Sequence, residues 1–90
     1  MTEVKNYRKR PVLIEAVQFD GTALSTQRIT KWVKSYGQHA FYDARGLFIS
    51  TPGGIMLADP RDWVIKSVRG EFYACHPQIF EDTYEEAQDD

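Results

Sequence analysis

His39, His76 and Cys75 are the only soft metal ligands among the 90 residues, one fewer than the four that close a structural zinc site. Cys75 and His76 are neighbours in an extended segment, so they point to opposite faces. A cysteine–histidine nucleophile needs its base within hydrogen-bond reach of the sulfur and a third group to orient it. Nothing in the spacing of His39 and Cys75 brings the two together, and a lone cysteine reads first as a small buried hydrophobe. Asp59 and Asp62 flank a turn, where carboxylates accept backbone N–H bonds. Glu15 and Glu71 lie in strand-like segments among apolar residues, where a facing charge would shift their titration. An ion pair from Glu15 to Arg10 or Lys66 is the simpler account. Thr51-Pro52-Gly53-Gly54 is glycine-rich but has neither the lysine nor the strand-to-helix context of a phosphate loop. No catalytic residue, metal or cofactor is assigned from these patterns.

What remains is a binding face. Trp63, Ile65 and Ser67 share one side of a strand, as do Glu71, Tyr73 and Cys75. The turn between them supplies Arg69, and the N-terminal segment supplies Arg8 and Arg10. Aromatic rings beside guanidinium groups can stack a base and neutralise phosphate; the competing account is that Trp63, Phe72 and Tyr73 fill a thin core. The candidate ligand or partner residues are therefore Arg8, Arg10, Trp63, Lys66, Arg69, Tyr73 and His76.

The elements that must position them form one small domain. Residues 1–10 read as a flexible basic arm, residues 11–84 as a single α+β domain, and residues 85–90 as a disordered acidic tail. Pro11–Phe19 is strand-like with apolar residues on both faces, which predicts a central strand covered on two sides. Ser25 can cap a helix that ends near Tyr36, with Gly37 in the left-handed conformation. Ile29, Trp32, Val33 and Tyr36 fall on one stripe of that helix. Short strands follow over His39–Asp43, Leu47–Thr51, Ile55–Ala58, Trp63–Val68 and Glu71–Cys75. Turns fall at Pro52-Gly53-Gly54, at Asp59–Asp62 and at a two-residue Arg69-Gly70. Gln78–Phe80 reads as a 3₁₀ turn and Glu81–Tyr84 as extended chain. The predicted fold is one helix on a small, curved, mostly antiparallel sheet of five to six short strands.

Charge narrows the partners. Residues 81–90 carry six acids and no base, so the remaining 80 residues hold 11 basic against 7 acidic side chains. The acidic end disfavours nucleic acid and leaves a small anionic ligand or a protein as partner. A single cysteine excludes an internal disulfide and fits a reducing compartment. The polar, basic Met1–Arg10 followed by only Val12-Leu13-Ile14 predicts no secretory leader, and no apolar run is long enough to span a membrane. Exposed strand edges on so small a domain predict a homodimer.

Two blocks carry a resemblance. Tyr7-Arg8-Lys9-Arg10-Pro11 followed by Ile14-Glu15-Ala16 is similar to the tyrosine-arginine-lysine-lysine-proline opening of a family of small phage and prophage proteins. Asp62-Trp63-Val64-Ile65-Lys66, Gly70-Glu71-Phe72-Tyr73, Cys75, Pro77, Ile79-Phe80-Glu81 and Thr83-Tyr84 resemble that family's closing segment. The chain departs at Arg61 and Ser67, where the family has glycine, and at Ala74, His76 and Gln78, where it has proline, lysine and aspartate. The resemblance implies a phage-encoded, non-enzymatic accessory protein that binds a host or phage protein in the bacterial cytoplasm. It brings no activity with it.

Overall fold

The computed structural model describes residues 2–87; residue 1 and the last three residues, 88–90, of the tail predicted over 85–90 lie outside the described residues. The elements run β1 (Glu15–Gln18), α1 (Ala23–Ser35), β2 (Ala40–Asp43), β3 (Gly46–Thr51), β4 (Gly54–Ala58), β5 (Trp63–Lys66), β6 (Phe72–Cys75) and α2 (Pro77–Thr83). The α+β class and the antiparallel pairing are as expected. The strands divide into two sheets of three, ordered β1-β5-β6 and β2-β3-β4, and a second, short helix follows β6.

The cap of α1 is Thr22, three residues before the expected Ser25. The Thr22 hydroxyl accepts from Ser25 N–H at 3.1 Å. Ser25 Oγ accepts in turn from Asp20 N–H at 3.2 Å, a reciprocal arrangement that satisfies otherwise orphaned donors. The Thr22 hydroxyl and N–H both donate to Asp20, which holds that carboxyl below its usual range. The helix closes as predicted, at Gly37 with φ 76°. Its stripe buries Ile29 and Val33 completely. They meet Ala40, Leu47, Ile49 and Ala58 from β2-β3-β4 and Val64, Phe72 and Ala74 from β5 and β6 in one cluster. Trp32 packs edge-on to Phe72 at 5.0 Å between ring centres, a geometry aromatic pairs favour.

The β5–β6 connection is longer than the expected two-residue turn. Ser67 N–H donates to Glu71 O at 2.8 Å and Gly70 N–H to Ser67 O at 2.9 Å, so Val68, Arg69 and Gly70 form a three-residue loop. Gly70, at φ 84°, takes the left-handed position this loop type requires. The register that follows sets Trp63 opposite Cys75 and Ile65 opposite Tyr73.

Strand β1 is a correction in two respects. It is four residues long, not nine, and it is an edge strand. Glu15 pairs with Lys66, the last residue of β5; beyond it β5 turns into the loop, so Val12–Ile14 have nothing to pair with. The apolar character of both faces is nonetheless real, because α1 covers one face of β1-β5-β6 and the C-terminal segment covers the other.

That segment was expected as a 3₁₀ turn and extended chain; it is the helix Pro77–Thr83. His76 Nδ1 accepts from Gln78 N–H at 3.2 Å and Pro77 occupies the first turn, where its missing N–H costs nothing. Gln78 Nε2 donates to Asp82 Oδ1 at 3.1 Å one turn on. No helix among the described residues is long and apolar enough to cross a membrane.

Candidate functional site

A groove of about 800 Å³ runs along the open edge of β1. Its floor is Val12–Val17. One wall is α1, through Arg28, Ile29 and Trp32; the other is Trp63 with Phe80, Tyr84, Glu85, Glu86 and Ala87.

The floor presents unused hydrogen-bonding groups. β1 has a partner on one side only, β5. Phe19 N–H donates to Asp62 O at 2.9 Å, which fixes the phase of the ladder. Main-chain groups alternate in direction along an antiparallel strand. Val17 and Glu15 therefore point theirs toward β5, while Gln18, Ala16 and Ile14 point theirs away from it, the last two into the groove. An exposed row of N–H and C=O groups is a template for another strand.

The walls explain why this edge differs from an ordinary one. Trp63 and Phe80 stack nearly parallel (8°) with ring centres 4.1 Å apart, and Tyr84 follows at 5.1 Å from Phe80. The Trp63 indole N–H is a buried side-chain donor with no partner among the described residues. Tyr73 lies on the same face; burial, and next its contact with the Tyr84 hydroxyl, push its phenol up to about 12. Glu85 and Glu86 edge this wall, and Arg28 is the basic side chain on the opposite one.

The predicted site residues do not converge. Trp63 enters the groove wall. Tyr73 sits beneath Tyr84, and His76 serves as the cap of α2. Lys66 Nζ pairs with Glu15 Oε2 at 3.2 Å and lies 4.5 Å from the centre of the Tyr36 ring, so it braces β1 against α1. Arg69 is exposed at the β5–β6 tip and borders no part of the groove. Arg8 and Arg10 are exposed in the arm, next to Lys9, whose ammonium sits 5.0 Å over the Tyr84 ring. Cys75 Sγ lies 3.6 Å from the His76 carbonyl. Burial and then the Asp62 charge raise its thiol, the opposite of the shift that activates a nucleophile. Asp62 Oδ2 accepts from Asp59 N–H at 2.8 Å, the turn role expected of it.

Sequence reasoning passed over Ala16, Arg28, Phe80, Tyr84, Glu85 and Glu86. Only the aromatic spacing of Phe80 and Tyr84, one helical turn apart, hinted that they share a face. The architecture is a small α+β fold with an open strand edge. Comparison with family models finds no match, and neither the curated proteins nor the solved structures provide one.

Proposed function

We propose that this chain is a non-enzymatic accessory protein of phage type that acts by binding a protein partner, holding an extended segment of it along the edge of β1. The observation that carries the reading is the free ladder edge at Ile14 and Ala16 in a groove walled by Trp32 on one side and Trp63, Phe80 and Tyr84 on the other. Strand addition draws affinity from main-chain bonds and specificity from pockets for alternate side chains; an open main-chain edge between aromatic walls supports it. The acidic rim supports a basic, partly apolar segment over a nucleotide. The phage character and the bacterial cytoplasm as its setting rest on the resemblance of the opening and closing blocks.

Both tryptophans of the chain line the groove, so occupancy reads out in intrinsic fluorescence. Extended peptides alternating basic and apolar residues are expected to shift that emission saturably. Ala16→Pro removes an N–H that faces the groove and leaves the β5 ladder intact, as proline is tolerated on the open side of an edge strand. It should weaken binding at least tenfold, while Arg69→Ala leaves it unchanged. Equal binding by wild type and Ala16→Pro, or stabilisation by nucleotides with no response to peptides, would overturn the reading.

A further inference from the structure

We infer that the segment taken up by the groove is the basic arm of a second copy, so that the protein is a two-fold dimer in which each arm lies on its neighbour's β1 edge. The inference rests on the groove being a strand-binding site.

The arm and the residues just after it have the composition the groove asks for. Leu13 is 76% exposed and Val12 49%, two apolar side chains in succession with nothing over them. Lys9, Arg8 and Arg10 form no ion pair among the described residues, whereas Lys5 pairs with Glu3 within the arm. The groove edge offers Glu85 and Glu86. The present contact of the arm, Lys9 over Tyr84, is an exposed cation–π pair and is readily exchanged.

The ladder phase supports one register in particular. Even-numbered residues of β1 point their main-chain groups to the open edge, so a partner that continues this alternation back to Arg10 must pair even with even. Placing the two-fold axis at Leu13 sets Ile14 opposite Val12 of the second copy, Glu15 opposite its Pro11 and Ala16 opposite its Arg10. Pro11 then falls at an odd position, where no N–H is needed for the new ladder. Paired residues share a face, and Ala16 shares its face with Ile65 and Trp63. Arg10 of the second copy is thereby directed to the wall that holds Tyr84, Glu85 and Glu86. Leu13 meets Leu13 in a narrow, non-hydrogen-bonded pair, and the like-charge contact of Glu15 with Glu15 is avoided.

The test uses the full chain in sedimentation velocity. The wild type is expected to dimerise, with association weakened about tenfold or more by 0.5 M salt as the charges are screened. Reversing the arm (Arg8→Glu, Lys9→Glu, Arg10→Glu) makes both arm and rim acidic; reversing the rim (Glu85→Lys, Glu86→Lys) makes both basic. Each variant alone should be monomeric, and an equimolar mixture should restore a dimer, because both exchanged contacts again pair opposite charges. Circular dichroism confirms that each variant is folded. In a Cys75→Ala background, Leu13→Cys should form an interchain disulfide on mild oxidation, since a narrow pair brings Cα atoms to about 4.5 Å; Val4→Cys, in the same exposed arm, should not. A monomeric wild type, a mixture that stays monomeric, or equal cross-linking at both positions overturns the arm exchange. If the fluorescence response to peptides and its loss in Ala16→Pro persist in that case, the groove reading stands without it; if they too are absent, both fall.

Discussion

The two faces of the β1-β5-β6 sheet are covered in opposite ways. On the α1 face, Val64 and Phe72 are sealed under a 13-residue helix that contributes its own fully buried Ile29 and Val33. On the α2 face, Trp63, Ile65 and Tyr73 lie under a seven-residue helix with no buried residue at all. One face is a core; the other is a lid of stacked rings held by its own sheet. Burial on both sides of an interface makes it cooperative with the whole fold. A helix that only rests on a sheet can open by itself. The groove sits where the second kind of cover ends.

Substitutions on each face should separate the two. Phe72→Ala removes a ring that is 1% exposed and contacts both Trp32 and Tyr36. It should cost about 3–5 kcal/mol in chemical denaturation and shift every probe together. Phe80→Ala removes half of the stack on Trp63 and should cost only about 1–2 kcal/mol. Its effect should be local, with faster amide exchange over Pro77–Thr83 and little change in α1. Equal global costs for the two would show that the faces do not differ.

A change outside both faces sharpens the contrast. Arg61 is the non-glycine residue with positive φ among the described residues, at 83°. Its N–H and C=O are tied to Phe19 and Gln18, so the conformation cannot relax. Glycine at this position removes a side-chain clash of about 1–2 kcal/mol against an entropic cost of about 0.5–1. Arg61→Gly should therefore raise stability by up to about 1 kcal/mol in the same denaturation assay without altering either aromatic environment.

The smallest effect is in alkali. Tyr73 is raised from its ordinary value to about 12. Its contribution is complete below about pH 10 and is lost as pH rises toward the folded value, because the unfolded chain releases the proton first. The loss is on the order of 1 kcal/mol, as the ring is only partly buried. Tyr73→Phe should abolish the last tyrosinate step in absorbance at alkaline pH and flatten this part of the stability curve.

Much of this fold was legible along the chain. The α1 stripe, its Gly37 stop, the Pro52-Gly53 turn and the turn role of Asp62 all follow from contacts within a few residues. The β5–β6 hairpin was legible as a hairpin, but its loop length was not, since Gly70 satisfies a two- or a three-residue connection equally. Helix α2 was missed because seven residues are too few to show a period, and its start rests on His76, an uncommon cap.

The groove was the least legible part, and β1 shows why. A strand's sequence reports what lies above and below it, because side chains alternate between those two directions. The apolar residues on both sides of Ile14–Phe19 did report two covers, and α1 and α2 are there. What lies beside a strand is set by main-chain groups, which every residue carries alike. Whether Ala16 meets another strand or an open groove was therefore decided only by the tertiary structure, through a β5 that ends at Lys66 and a sheet order that leaves β1 outermost.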